Sequence, residues 1–324
     1  MQELKELRFN ETNVQLKDNL VKGSILPEKT AEMDRSITIQ GNSVIEGAVY
    51  AHKLEIQQGD AEIRGAVFTQ LEMYVNSDAK GNISFKKSVG SANSIVSRAQ
   101  DCNLMFYSDI NAKSVTLYNA FVAGSIYADE IILQNCVVIG GVFATQNIDI
   151  TNSVIGTFNS PSVKAAQSIW LLLPSAFSIE KILTIPGTKF YNLCLADLGS
   201  LYKGTSQEAN SGKIEMNMDT DEVKTTLTDE KVQKTLRSYT VVGKVLAADL
   251  LDFDKFQNHF LLTAASLGSQ LLKNYDLGVN DNGEAVTITF EKIKDLFFQI
   301  LSGKIEVQEI NGKFNISEIT GKFN

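Results

Sequence analysis

Side chains that could carry catalysis are sparse in this sequence. It has two histidines, His52 and His259, and three cysteines, Cys102, Cys136 and Cys194, whose positions share no metal-ligand spacing. An odd number of cysteines without such spacing is typical of buried free thiols in a reducing compartment. These residues therefore predict a cytoplasmic protein with no metal site and no cofactor.

Two kinds of β-helix enzyme would need residues that this chain does not group together. Left-handed β-helix acyltransferases use a histidine base, but stepping by six from Ile45 does not give their hexapeptide register, so we predict that His52 is a surface histidine. Pectate-lyase-like enzymes need clustered acids, whereas Asp109, Asp129 and Asp149 are scattered singly. We predict no catalytic residue.

The acidic balance of the chain argues against nucleic-acid and membrane partners. The formal net charge is −8, whereas a nucleic-acid-binding protein needs a basic face for the phosphates. The apolar run that begins at Ile169 stops at Pro174 and is too short to cross a bilayer. Leu4, Leu7 and Phe9 lack a matching basic face, so membrane contact is not expected.

The element that must position any functional residue is an internal repeat. Val122–Ala128, Val138–Ala144 and Val154–Ser160 follow one another at an offset of sixteen residues, and Phe106–Ala112 fits the same frame. Each block reads large apolar, any residue, small, any residue, large apolar, any residue, small. Four consecutive blocks with one pattern indicate a stack of similar structural units.

An earlier pair of blocks, Ile45–Ala51 and Ile63–Thr69, has the same pattern at an offset of eighteen residues. Across Met73–Leu104 the pattern blurs, which predicts an insertion or a bulged turn. Proline is absent from Glu28–Ser160, as expected of stacked strands, because proline removes a ladder hydrogen bond. A period of 16–18 residues predicts a β-solenoid whose coils contain two or three short strands.

Alternation within each block assigns side chains to the two faces of a strand. Side chains two residues apart share a face, so the large apolar residues are predicted to stack inward as ladders from coil to coil. The small residue between them, such as Gly124 or Gly140, is predicted to leave room in a narrow core. The predicted ladder residues are Phe106, Val122, Val138 and Val154, together with Ile110, Ile126, Val142 and Phe158.

The opposite face of the same blocks predicts contacts between neighbouring coils. Glu46 lies one coil before Arg64, which predicts an opposite-charge pair. Outward aromatic residues one coil apart predict a stripe that either stacks on itself or docks another segment or protomer. The predicted outward aromatic stripe consists of Tyr50, Phe68, Tyr127 and Phe143.

These residues resemble a known family. The phrase Val44–Ala51, followed by Leu54–Ile56, resembles the repeat of the bactofilins, polymer-forming bacterial cytoskeletal proteins, and Gly124–Ala128 is similar to it too. The resemblance covers roughly residues 36–175 and implies a right-handed β-helix that stacks end to end into filaments without nucleotide. The chain departs from the usual bactofilin pattern in its long C-terminal part, which could cap one end of the solenoid.

The C-terminal part of the sequence changes period. After a stretch rich in Gly, Ser and Asn, Gly199–Gly212, apolar residues from Thr228 onward recur every three or four positions and predict helices. The apolar helices within Thr228–Tyr275 are predicted to pack on the solenoid, since they carry more than one apolar stripe. A further helix is predicted to end before Gly303. Its apolar face consists of Ile293, Leu296, Phe297 and Ile300.

The sequence therefore predicts a mainly β protein with a smaller α+β domain after the solenoid. The predicted parts are an N-terminal arm or cap over 1–35, the β-solenoid over 36–185, a linker or last coil over 186–212, and the α+β domain over 213–324. We predict a non-catalytic scaffold that associates with copies of itself through solenoid ends. The alternative is a discrete binding protein whose C-terminal domain caps the solenoid and recognises a protein partner or a ligand.

Overall fold

The computed structural model describes residues 1–5, 7–9, 12–27, 35–172, 178–185, 188–192, 214–215, 244–245 and 289–304. These residues are mainly β and form a parallel β-solenoid of about eight turns, with one helix near the C-terminus. The chain divides into two compact units, Met1–Ile150 and Thr151–Asn324.

Short strands follow one another along the described chain. In order they are β1 (Gln2–Leu4), β2 (Leu7–Phe9), β3 (Asn13–Leu16), β4 (Asn19–Val21), β5 (Ile25–Pro27), β6 (Ser36–Ile39), β7 (Ser43–Ile45), β8 (Val49–Ile56), β9 (Ala61–Ile63), β10 (Val67–Val75), β11 (Gly81–Phe85), β12 (Val89–Ser91), β13 (Ser94–Ser97), β14 (Cys102–Phe106), β15 (Ile110–Asn111), β16 (Ser114–Tyr118), β17 (Ala120–Val122), β18 (Ile126–Gln134), β19 (Val137–Leu171), β20 (Ser178–Thr184), β21 (Lys189–Asn192), β22 (Ile214–Glu215) and β23 (Lys244–Val245). The helix is α1 (Phe290–Leu301).

Pairing sorts the strands of residues 2–134 into three parallel stacks, one for each side of a coil. The first stack contains β1, β4, β7, β9, β11, β14 and β17. The second contains β2, β5, β12, β15 and the first parts of β8, β10 and β18. The third contains β3, β6, β13, β16 and the last parts of those same three long strands. A full coil therefore has three sides.

The repeated block spans a corner between two of these sides. Ile45 ends β7 and Val49 begins β8, so Gly47 lies in the turn between them. A Cβ on Gly47 would overlap the backbone of Gly23, and a Cβ on Gly65 would overlap the backbone of Gly47. The small residue is required because the backbones of stacked corners touch one another. The prediction that it leaves room in the core is therefore wrong.

Coil length increases where the sequence pattern blurs. Phe106 pairs with Val122, which is sixteen residues later, as the repeat predicts. Ile63, in contrast, pairs with Phe85, which is twenty-two residues later. Within that longer coil the register of β10 against β8 shifts between Thr69 and Glu72. That shift adds one residue at the bend of β10, before Met73. The other extra residues lie between Val75, which pairs with Ile56, and Ile83, which pairs with Ala61, so the insertion predicted within Met73–Leu104 is confirmed there.

The solenoid begins before residue 36. β1 to β5 lie within residues 2–27, and β3, β4 and β5 pair in parallel with β6, β7 and β8. The predicted boundary between an arm or cap and the solenoid was therefore placed too late. Val21–Ile25 has the same corner pattern as Ile45–Val49, but it lies twenty-four residues earlier, outside the 16–18-residue spacing.

The second unit contains parallel strand pairs of its own. β20 pairs with the part of β19 between Asn159 and Ala165, and β21 pairs with Ser168–Leu171. β21 lies within the segment that the sequence predicted to be a linker or last coil.

The helix α1 confirms the predicted C-terminal helix. Its buried side chains are Ile293, Leu296, Phe297 and Ile300, which form the predicted apolar face. The side chain of Thr289 caps the helix by accepting from the N–H of Lys292, and Gly303 follows its end with a φ of +72°. β23 pairs antiparallel with β22, so the helical prediction is wrong at residues 244–245. The rest of the predicted helices within Thr228–Tyr275 lie outside the described residues.

Candidate functional site

The inward ladders lie in the core of the solenoid. In the first stack Phe85, Phe106 and Val122 follow one another in register, and the rings of Phe85 and Phe106 stack with their centroids 4.8 Å apart. In the second stack Ile110 pairs with Ile126. Each of the eight predicted ladder residues has a relative exposure of 0%: Phe106, Val122, Val138, Val154, Ile110, Ile126, Val142 and Phe158.

Charged side chains connect the outer faces of neighbouring coils. The Oε1 atom of Glu46 lies 3.3 Å from Nη1 of Arg64, which confirms the predicted pair, and 3.2 Å from Nζ of Lys22. Nε of Arg64 lies 3.1 Å from Oε1 of Glu62, and this hydrogen bond raises the pKa of Arg64 above its ordinary value. Because solvent screens these exposed charges, they favour the correct register more than they stabilise the fold.

The outward aromatic stripe consists of two stacked pairs. The rings of Tyr50 and Phe68 lie 5.3 Å apart at an interplanar angle of 14°, and those of Tyr127 and Phe143 lie 5.2 Å apart at 15°. The Phe143 ring lies over the Cα of Gly141, where a Cβ would overlap it. Phe143 is therefore outside the core, while the neighbouring Val142 is fully buried, as the alternation predicts.

A column of Asn and Asp side chains, which we name the Asn/Asp column, lies at the corner that precedes the first stack. Oδ1 of Asn42 accepts from the N–H of Asp60 at 2.9 Å, and Oδ1 of Asp60 accepts from the N–H of Asn82 at 2.7 Å. Nδ2 of Asn103 donates to Oδ1 of Asn82 at 3.0 Å. These side chains connect one coil to the next where the backbone leaves the strand ladder.

The Asn/Asp column continues in both directions and was missed in the sequence. Asp18, Asn119 and Asn135 occupy its equivalent positions with φ angles of 56°, 51° and 52°. Asn and Asp adopt this left-handed conformation more readily than other residues with side chains. The recurrence of asparagine every sixteen residues from Asn103 is the signal that could have revealed the column. An open polar groove of about 610 Å³ runs beside its first members.

The N-terminal coil has strand partners on one side only, within the residues that the structure describes. β1 pairs with β4, β2 pairs with β5, and β3 pairs with β6. The N–H of Gln2 donates to the carbonyl of Asp18, and the carbonyl of Leu4 accepts from Lys22. Glu3 lies between Gln2 and Leu4 in the strand, so its N–H and C=O point toward the open side.

The apolar ladders reach this open side. Leu4 and Leu7 are half-buried, whereas their partners in the next coil, Val21 and Ile25, have no exposed surface. Among the described residues, the N-terminal edge therefore presents both backbone groups without strand partners and apolar side chains.

The two described cysteines are free and buried, as predicted. Burial raises the pKa of Cys102 to about 11 and that of Cys136 to about 12. Sγ of Cys136 donates to the carbonyl of Leu117 at 3.1 Å. Both thiols therefore stay protonated near neutral pH and are poor nucleophiles. Cys194 lies outside the described residues.

His52 is half-buried on β8. In the described part of the chain, no three His, Cys, Asp or Glu side chains come together in a group that could hold a metal ion. His259 lies outside that part. No helix among the described residues is both long and apolar enough to span a membrane.

Comparisons with known proteins give no match, so only the residue pattern and the fold bear on function. No family model matches the chain, and neither a curated protein nor a solved structure matches it. The resemblance to the bactofilins therefore rests on the repeat residues alone.

Proposed function

We propose that this protein is a non-catalytic scaffold that assembles with copies of itself through the ends of its solenoid, as the resemblance to the bactofilins implies. The observation that supports this most directly is the N-terminal edge, where β1, β2 and β3 have described strand partners on one side only. An edge of unpaired strands is a template for a further strand. In this proposal a second copy supplies that strand.

Two interactions favour the addition of a coil at this edge. Each new backbone hydrogen bond contributes a net stabilisation of about 0.5–1.5 kcal/mol. Leu4 and Leu7 would also lose their remaining exposed surface, at about 25 cal/mol for each Å² of apolar area buried. Neither interaction requires a nucleotide or another cofactor.

The finer features of the proposal follow from the sequence. We place the protein in the cytoplasm, which the buried free thiols of Cys102 and Cys136 favour. The winding is proposed to be right-handed, and the C-terminal part is proposed to form a smaller α+β domain.

The test blocks the open side of the edge without removing the existing ladder bonds. The N–H of Leu7 donates to Ser24, so the N–H of Arg8, like that of Glu3, points toward the open side. Proline at these two positions removes outward donors only. Wild-type protein is expected to form filaments in negative-stain electron microscopy, and the variant carrying both Glu3→Pro and Arg8→Pro is expected to give short particles.

The matched control carries Glu3→Ala and Arg8→Ala, which keep both N–H groups and change the same side chains. It is expected to assemble like the wild type. Discrete particles from the wild type, or equal filament lengths for the proline and alanine variants, would show that this edge does not drive assembly.

The second candidate is a discrete binding protein whose C-terminal part caps the solenoid. One contact within the second unit favours it: Nδ2 of Asn152 donates to the carbonyl of Leu301, at the C-terminal end of α1, with a distance of 3.1 Å. The helix end is therefore docked on a corner of β19. Capped particles of uniform size in the same microscopy experiment would support this candidate.

A further inference from the structure

On the outer face of the second stack, one column of side chains contains two pairs of stacked aromatic rings, which are separated by a gap two coils high. The column consists, in order, of Tyr50, Phe68, Gly90, Asn111, Tyr127 and Phe143. Gly90 has no side chain and Asn111 has a short one, so the two aromatic pairs are separated. Because a coil is about 4.8 Å high, Phe68 and Tyr127 lie about 14 Å apart along the column.

This gap faces solvent. Phe68 is 40% exposed and Tyr127 is 42% exposed, and Asn111 between them is exposed as well. The Phe68 ring lies 3.4 Å from where a Cβ on Gly90 would be, so it borders the gap on that side. Exposed aromatic rings beside a two-coil stretch of small side chains indicate a contact surface.

We propose that this column is a lateral interface between two antiparallel copies of the chain. The Tyr127–Phe143 pair of each copy fills the gap over Gly90 and Asn111 of the other. Each ring pair occupies two consecutive coils and the gap is two coils high, so the surface is complementary to itself. A two-fold axis that passes between the coils of Asn111 and Tyr127 makes the contact twice and closes the dimer.

Charge selects this arrangement over the alternative register. Lys113 and Asp129 lie on successive coils, two residues after Asn111 and Tyr127, and the N–H of Asp129 donates to the carbonyl of Lys113. The two-fold axis therefore places Lys113 of one copy opposite Asp129 of the other, on both sides of the axis. Such complementary charges favour one register over others.

The alternative register inserts the Tyr50–Phe68 pair into the gap. It would place Arg64 of one copy opposite Lys86 of the other, since these residues occupy equivalent positions on successive coils. Two like charges in apposition disfavour that arrangement.

The interface is small. Six coils give a column about 24 Å long and one side chain wide, which is below the standard interface of about 1,200–2,000 Å². The expected dissociation constant lies between about 1 µM and 1 mM. This lateral contact does not rest on assembly through the solenoid ends, because its residues lie on the outer face of the middle coils.

Sedimentation velocity over a concentration series tests the contact in the full chain carrying Glu3→Pro and Arg8→Pro, which blocks assembly through the solenoid end and serves here as the wild-type background. Gly90→Lys places a long charged side chain in the gap, on a strand position with no positive φ, and should weaken dimer formation at least about tenfold. The control is Val96→Lys, on β13 of the same coil but on the third side, where the residue is half-buried. It should sediment like the wild type.

Charge reversal tests the register independently of any effect of Gly90→Lys on folding. Lys113→Glu alone and Asp129→Lys alone should each weaken the dimer, and the double variant should restore it, because the pair is then reversed on both sides of the axis. Restored association supports the proposed register. A concentration-independent wild type, equal effects of Gly90→Lys and Val96→Lys, or no restoration in the double variant would overturn the proposal.

Discussion

The coils between Ile63 and Phe106 differ in length from the next two, which end at Val138, but all share the same core. In the later coils, ladder residues of the first stack recur every sixteen residues, whereas in the earlier coils they recur after twenty-two and twenty-one. The ladder nevertheless stays in register, and Phe85 stacks on Phe106 with 4.8 Å between centroids. Strand pairing and the inward side chains define a coil, and extra residues are accommodated elsewhere in it.

The corners differ between these two regions as well. In the later coils the corner is tight: a Cβ on Gly124 would lie 2.5 Å from the carbonyl carbon of Ser108. In the longer coil the equivalent corner position holds Lys87, which is exposed. An open corner accepts any side chain that can reach solvent, so the repeat pattern disappears there while the core persists.

The largest effect is expected from a charge in the ladder of the regular coils. Val138 is fully buried and pairs with Val122, so Val138→Asp would place an unpaired carboxylate in the core. This costs several kcal/mol, comparable with a domain stability of about 5–15 kcal/mol, and should abolish soluble folded protein. Circular dichroism melting and soluble yield measure it. Ile139→Asp, at the half-buried outward neighbour, is the control and should fold.

The next effect compares the two regions directly. Phe85 belongs to the longer coil and Phe106 begins the regular ones, yet both are fully buried and stack on each other. Phe85→Ala and Phe106→Ala should therefore each lower the free energy of unfolding by about 3–5 kcal/mol, measured by urea denaturation. A much smaller loss for Phe85→Ala would show that the irregular coil is packed loosely.

The sequence predicted the parallel solenoid and its inward ladders because corner glycines and apolar spacing report the same geometry. It missed the first coils, although Val21–Ile25 has the corner pattern, because Ile45 follows Val21 by twenty-four residues, outside the 16–18-residue spacing. It did not predict the Asn/Asp column, because the apolar spacing that defines the ladders carries no information on the polar residues that connect the coils. The assignment of the corner glycines to a strand failed for one reason: alternation of side chains cannot distinguish a strand from a turn of matching length.

A smaller loss of unfolding free energy is expected from a substitution at the tight corner. Gly124→Ala would bring a methyl group against the backbone of Ser108, and the stacked corners would have to separate. Such overpacking costs about 1–3 kcal/mol of unfolding free energy. Lys87→Ala, at the open corner, should change it by less than about 0.5 kcal/mol. Equal effects at the two positions in urea denaturation would contradict the distinction between tight and open corners.

The smallest predicted effect is a gain in the free energy of unfolding, and it comes from a substitution in the longer coil. Thr69 is fully buried on β10, just before the register shift, and its Oγ1 has no hydrogen-bond partner. Thr69→Val keeps the side-chain volume and removes the buried hydroxyl, so it should raise the free energy of unfolding by about 1 kcal/mol. Its pairing neighbour Ser91 donates to the carbonyl of Leu71 at 3.4 Å, so Ser91→Ala should instead lower it. Urea midpoints at unchanged m-value measure both shifts, and a destabilised Thr69→Val would mean that the bulge depends on that hydroxyl.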